Sequence, residues 1–472
     1  TIPNINWMPR LGRWEYQAGS GARQNHAMNP FRIGSGAGYS GDRIDPAQDL
    51  AERGQLNALV FECLAERTIA LAQLRRSADP QHGYDLLLQE RMRAVLPACL
   101  AQRCTIITNM GAAHPMAAGR AVIEVARELG LTGLKVAVVE GDDVLAWMQR
   151  HDVPLLESGQ SVRCLDGQLI SANAYLGADA LLPALRAGAD VIITGRVADP
   201  SLFLAPLMHH FGWRSDDWQK MGQGIVVGHM LECSSQVSGG YIADPGFVDV
   251  PNLAEVGFPF ADVLADGDMV IGKLDGTGGR IDRLTCTAQL LYELEDPSAY
   301  LQADVVADFS GVRFAQVGPD RVRVQGATGR ERPEALKVTL GYREGFISDA
   351  QISYAGPGAR ARGELALAVL QSRLAKRGWA ELEHRAELIG VNAMHGPALG
   401  ADHEPYEVRL RLAARCATRA LAERVAQEVE TLYVSGPAAG GGVTQAVREV
   451  VAVASALIPR QAVSTRTHFL EL

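Results

Sequence analysis

Glu62 and Glu66 stand four residues apart where an apolar run gives way to a helical pattern. Two carboxylates at that junction can divide acid and base work, or hold a cation such as Mg²⁺. The plainer alternative is that Glu66 pairs with Arg67 or Arg43 while Glu62 caps backbone donors. Asn109, Glu140, Asp142, Arg196 and Asp199 also follow short apolar runs. Arg196 has the planar fork that suits a carboxylate or phosphate, and its alternative is a salt bridge to Asp199. His229, Glu232 and Cys233, at i, i+3 and i+4, share one face of a helix. Cys233 can act there as a nucleophile with His229 as its base; the more ordinary arrangement is a buried thiol beside a satisfied histidine. His395 and His403, near Asp402 and Glu404, match no metal-ligand spacing, so no metal site is assigned.

Gly36-Ala37-Gly38-Tyr39-Ser40-Gly41 satisfies G-x-G-x-x-G behind a short strand at Phe31–Ile33, with Glu62 about 20 residues on. That is the formal dinucleotide fingerprint, with one departure. Asp45-Pro46 sets the helix start after the glycines rather than among them. The stretch Gly34–Asp42 therefore reads as a loop whose free N–H groups can hold an anion. Gly36, Gly38, Tyr39, Ser40, Gly41 and Asp42 join Asn109, Arg196 and Asp199 as candidate substrate-binding residues. The alternative is a tight turn that needs positive φ.

For these groups to meet, the runs before them must be parallel strands of one sheet. Phe31–Ile33, Ala58–Phe61, Cys104–Thr108, Lys135–Val139 and Asp190–Thr194 have strand character and alternate with helical segments. That alternation predicts a parallel α/β sheet whose strand ends share one edge, where ligands bind. A (β/α)₈ barrel needs eight such strands, and five are found. Gln223–Gln236 reads as a helix before a tight turn, and the aromatic patch Phe211, Trp213, Trp218 as exposed. Beyond about residue 290, strands at Val305–Asp308, Val312–Val317, Val322–Val324, Leu336–Tyr342 and Glu407–Leu412 mix with helices at Ala361–Arg377 and Ala420–Tyr433. The glycine run Ser435–Val443 is read as lying between two helices. The expectation is an extended N-terminal arm over 1–30, a parallel α/β domain over 31–285 and a smaller α+β domain over 286–472.

The 472 residues exceed one ordinary core. A net charge of −9 argues against a nucleic-acid partner, since phosphate contacts need a basic face. Seven scattered cysteines without CxxC spacing form neither a disulfide framework nor a zinc site, and fit a reduced, cytoplasmic protein. No apolar run is long enough to span a bilayer.

Several stretches together carry a resemblance. They are Arg32–Arg43, Phe61–Thr68, Thr108–Ala112, Gly195–Asp199, Glu232–Gly240 and Ser435–Val443. They resemble the signatures of the acyclic terpene utilisation family, the AtuA-like proteins, over about residues 30–450. The resemblance implies a place in the breakdown of citronellol-type isoprenoids through acyl-CoA intermediates.

Residues and resemblance together give the leading expectation. It is a homo-oligomeric enzyme of branched-chain or acyclic isoprenoid acid catabolism, acting on a small-molecule carboxylate or an acyl-CoA by hydration, lyase or hydrolysis chemistry. CoA enters only as part of the substrate; no other cofactor is assigned. Candidate catalytic groups are Glu62, Glu66, Asp142, His229 and Cys233. Two alternatives stand beside it: a nucleotide-dependent oxidoreductase using the glycine motif, and a non-catalytic partner subunit of an acyl-CoA enzyme complex.

Overall fold

The computed structural model describes residues 30–165, 167–396 and 403–472. The expected N-terminal arm lies, except for Pro30, outside the described residues, as does Asp402. The first six strands are β1 (Phe31–Ala37), β2 (Ala58–Phe61), β3 (Thr105–Thr108), β4 (Lys135–Glu140), β5 (Leu169–Ala174) and β6 (Val191–Thr194). The five expected parallel strands are all present. They lie side by side in the order β1-β2-β3-β6-β4, each pair parallel.

The unbroken apolar character of these strands follows from burial on both faces. Leu59 and Phe61 of β2 enter one core, together with Ile106, Val136 and Ile193. Ala58 and Val60 enter the opposite core, together with Ile107, Ala137 and Ile192. Helices Asp45–Arg53, Leu88–Gln102 and Pro115–Glu128 cover the first face, and Asp199–Phe211 and Trp218–Leu231 the second.

The sheet is wider than expected. A hairpin of β7 (Pro259–Val263) and β8 (Met269–Lys273) adds antiparallel strands beside β1. Three short strands follow in a small separate sheet: β9 (Tyr300–Leu301), β10 (Val306–Asp308) and, later, β13 (Thr328–Arg330). Between the last two, β11 (Arg313–Gly318) and β12 (Arg321–Gln325) extend the large sheet beyond β8.

A further sheet is built on β14 (Ala335–Ala355), with β15 (His384–Ile389), β16 (Glu407–Cys416) and β17 (Gly441–Pro459). Its order is β15-β16-β14-β17, and β5 pairs with the first half of β14. The final strand, β18 (Arg466–Glu471), returns to the large sheet and runs antiparallel to β4. Residues on both sides of 285 thus contribute to both large sheets.

Two readings are corrected. The glycine run near 440 does not separate two helices: it leads into β17, whose β-branched series Val443, Thr444, Val447, Val450, Val451 and Val453 favours a strand. The aromatic patch is not open surface. Phe211, Trp213 and Trp218 pack against the core, and the Trp213 indole N–H donates to the Ala265 carbonyl at 3.1 Å.

Candidate functional site

The parallel register delivers Glu62, Asn109, Asp142 and Arg196 to one edge, since each follows the C-terminal end of its strand. Glu62 is almost fully buried. Its Oε1 accepts the Leu64 N–H at 2.8 Å and the Asn109 side-chain N–H at 2.9 Å. Asn109 in turn accepts the Cys63 N–H at 2.8 Å, so one amide joins the ends of β2 and β3. Burial pushes the Glu62 carboxyl up, although Arg196, the Leu64 N–H and Asn109 oppose that shift, and the charge of Glu232 adds to it.

Arg196 is 2% exposed. Its guanidinium lies over the Tyr175 ring, 4.1 Å from the centroid. Nη2 is 3.2 Å from Asp199 Oδ1. Nε and Nη1 are buried and have no hydrogen-bond partner. Burial works against its charge, but Asp199, Tyr175, Glu66 and Glu62 more than offset it, and the guanidinium pKa is raised. An always-charged group with two buried, unspent donors is costly unless something accepts from them.

Glu66 begins the helix Glu66–Ala78 and accepts from the Tyr175 hydroxyl and, at 3.2 Å, from Lys337 Nζ. Burial would raise its carboxyl; Arg196, Tyr175 and Lys337 overcome that and hold it at about 2. Burial drives Asp199 the other way, well above the usual carboxylate range, with Arg196 opposing. Glu62, Glu66 and Asp199 thus share one guanidinium, with Glu62 and Asp199 pushed up and Glu66 held low. The side chains of Glu66, Asp199 and Lys337 are each about a third exposed or more, so solvent reaches the cluster on their side.

Asp142 serves a different purpose. Its Oδ2 accepts the Arg196 N–H and the Asn173 side-chain N–H, both at 2.8 Å. Burial raises its carboxyl to about 6 against those two bonds. It ties the ends of β4, β5 and β6 together and fixes where Arg196 starts.

The glycine motif departs from the dinucleotide fingerprint. Gly36 lies inside β1, and none of Gly34, Gly36, Gly38 and Gly41 has positive φ. Close approach explains two of them: a Cβ on Gly36 would meet the Phe61 ring at 2.7 Å, and one on Gly38 the Cys233 carbonyl carbon at 2.6 Å. The Gly38 N–H, expected to be free for an anion, donates to Asp42 Oδ2 at 2.8 Å. Buried Arg91 gathers the loop by donating to the carbonyls of Tyr39, Ser40 and Asp42 at 3.1–3.3 Å, and the Ser40 hydroxyl donates to Asp85 at 2.7 Å. Tyr39 is exposed at the tip.

His229 and Glu232 do meet, at 3.0 Å between Nδ1 and Oε1. The other ring nitrogen, Nε2, is 3.1 Å from the Leu290 carbonyl oxygen. With both nitrogens taken, the histidine does not serve Cys233, which finds the Gln289 side chain instead. Burial and the Glu232 charge push the Cys233 thiol far up, which disfavours the nucleophilic thiolate. Among the described residues no group of three or more His, Cys, Asp and Glu side chains is arranged to hold a metal ion.

Sequence reasoning missed Tyr175 and Lys337. Tyr175 follows β5, a strand it did not identify. Lys337 sits in β14, alternating with buried Leu336 and Val338, and its role depends on a fold that sequence alone does not show.

With the geometry in place, comparison with known proteins adds one match. The sequence profile described as "Acyclic terpene utilisation family protein AtuA" matches residues 31–469. The chain belongs to this family. No curated protein and no solved structure matches it. The AtuA family match spans both large sheets, and so covers every side chain of the cluster. No helix among the described residues is long and apolar enough to cross a membrane.

Proposed function

We propose that the chain is an acid–base enzyme acting on a small acyclic terpenoid acid or its thioester, in the catabolic use of acyclic terpenes. One observation carries this reading: the buried Arg196 guanidinium keeps Nε and Nη1 without partners while Asp199 takes Nη2. Nε and Nη1 point in different directions on one plane, so a ligand oxyanion, the acceptor such charged donors recognise, meets one of them. A carboxylate fits directly, and a thioester carbonyl fits as it becomes an enolate. Glu62, its carboxyl pushed up by burial, is the proton donor beside it. Asn109 holds its acceptor oxygen, so the proton sits on the other one. Glu66, Tyr175 and Lys337 form the wall on the solvent side.

The protonation pattern supports an anionic ligand. With Glu62 and Asp199 pushed up, and Glu66 matched by Lys337, the Arg196 guanidinium draws an anionic ligand. A nicotinamide or flavin cofactor draws no support from the glycine stretch, whose first glycine is in a strand and whose Gly38 N–H is spent.

The test is calorimetric titration of the full chain with geranate and with geraniol, the alcohol of the same skeleton. Geranate is expected to bind and geraniol not. Arg196→Met is expected to weaken geranate binding by about 10- to 100-fold, the loss of charge-assisted hydrogen bonds. Equal binding of acid and alcohol, or an unaffected Arg196→Met protein, would remove the anion site.

A further inference from the structure

We propose that Glu232 is the second catalytic carboxylate of this site, the partner that works opposite Glu62 in removing water from a β-hydroxy acyclic acyl group, or adding it to the α,β-unsaturated one, and that His229 is its positioning residue. This rests on the assignment of Arg196 and Glu62 above.

Glu232 caps the C-terminus of the helix Trp218–Leu231. A carboxylate there faces the negative end of the helix dipole and is disfavoured unless paired. His229, one turn back and fully buried, supplies the partner. The Leu290 carbonyl can only accept, so Nε2 carries a hydrogen. Nδ1 faces Glu232 Oε1, so a charged Glu232 makes the ring an imidazolium. Tyr300 and Phe309 pack on that ring at 5.2 and 5.6 Å, and the Gln289 side chain donates to the His229 carbonyl at 2.7 Å. The histidine is fixed and has nothing left to give a substrate.

Glu232 is different. Oε1 is spent on His229, but Oε2 is buried and has no partner. The hydroxyls of Ser234 and Ser238, on the turn that follows, are buried and unpartnered too. Ser234 sits at φ +51, a strained conformation for a serine. Glu232 Oε2 thus keeps a buried acceptor unspent beside two unspent hydroxyls.

That turn adjoins Glu62. The Glu62 N–H bonds the Ala37 carbonyl at 3.1 Å, and the next residue, Gly38, leaves no room for a side chain against Cys233. The end of β1 is thus the bridge between the two carboxyls, and the charge of Glu232 is felt at Glu62. Other titratable groups around Glu232 are Asp199, Cys233, Tyr300 and, through His229, Glu293.

In the dehydration direction, Glu232 Oε2 takes the proton from the carbon beside the carbonyl. The C–H electron pair becomes the new Cα=Cβ bond. The bond from Cβ to its hydroxyl breaks, and the departing oxygen takes the Glu62 proton and leaves as water. Glu232 ends as the acid and Glu62 as the carboxylate; hydration is the reverse. Arg196 holds the carboxyl or thioester oxygen on which charge builds. No oxidant, metal or nucleotide is consumed.

The full chain is given geranic acid and, separately, geranoyl-CoA in D₂O. Loss of the conjugated absorbance and deuterium at C2 are followed. Turnover of the acid, the thioester or both is expected from the wild-type chain, and the active form tells which oxyanion Arg196 receives. Glu232→Gln, which keeps an acceptor toward His229, and Glu62→Gln are each expected to lose about 100-fold or more. Glu232→Asp, which retracts the carboxylate, is expected to fall as well with an unchanged melting temperature. His229→Asn is expected to lower kcat while leaving KM for geranoyl-CoA unchanged, because the Glu232 carboxylate loses the contact that fixes its orientation. A purely structural histidine would lower kcat only as far as the lost stability explains. A folded Glu232→Gln protein with wild-type turnover overturns the assignment. So does a wild-type chain that turns over neither probe; if that chain still binds geranate through Arg196, the anion site stands and only the water chemistry falls.

Discussion

At the scale of single residues, the same side-chain type does three jobs, and environment decides which. Glu66 is paired and held low, Glu62 is buried and pushed up, and Asp142 is locked onto backbone. Replacing Asp142 with Ala leaves the Arg196 N–H and the Asn173 amide unsatisfied and is expected to cost about 2–4 kcal/mol, read by chemical unfolding. Asp142→Asn keeps one accepting oxygen and is expected to cost less. The pH dependence follows from sign. Asp142 and Asp304 are both raised by burial to about 6. The folded chain therefore holds protons that the unfolded chain releases, and stability falls as pH rises from about 4 to about 6. Each is worth about 3 kcal/mol over that window. Asp142→Asn is expected to remove its share of that fall, so the melting temperature declines less steeply with pH than in the wild type. Glu66, held at about 2, acts in the opposite direction and at lower pH, its contribution being lost as pH drops from the ordinary carboxylate value. Glu62, Asn109, Asp142 and Arg196 were legible as edge residues, because a residue just past a parallel strand has little choice of place. That Asp142 is a clamp was not, since Asn173 lies on a strand with no clear pattern of its own.

At the scale of elements, the glycine stretch shows how a motif misleads. G-x-G-x-x-G describes spacing, but the physical need differs here: Gly38 lets one backbone approach another. Gly38→Ala is expected to push β1 away from the Cys233–Ser234 turn, destabilising the fold by about 1–3 kcal/mol and loosening the link between Glu62 and Glu232. Thermal unfolding measures the first effect, and geranoyl-CoA turnover falling by more than the lost stability explains measures the second. A Gly38→Ala chain as stable and active as wild type would mean the approach is not required. The five parallel strands were readable because burial on both faces leaves a run of apolar residues. The β7–β8 hairpin and β5 were not, being short and broken by Gly, Asp and Asn. At β17 the β-branched series is a strand signal, but Gly440, Gly441 and Gly442 around its start carry the opposite one.

At the scale of the molecule, the cluster is assembled by both large sheets. The parallel sheet supplies Glu62, Asn109 and Arg196, and β14 supplies Lys337, with Tyr175 just past β5. Sequence predicted a second, α+β region but not that it closes the solvent side of the site, because such closure depends on which strand pairs with β14. The family match runs across both sheets. The central claim is that Arg196 keeps an open donor, Nε or Nη1, for a ligand oxyanion. The direct measurement is a crystal structure of the full chain with geranate bound. The account predicts the carboxylate oxygens within about 3 Å of Arg196 Nε or Nη1, with Glu62 beside the acyl chain. A carboxylate bound elsewhere, with Nε and Nη1 still without an acceptor, would contradict it.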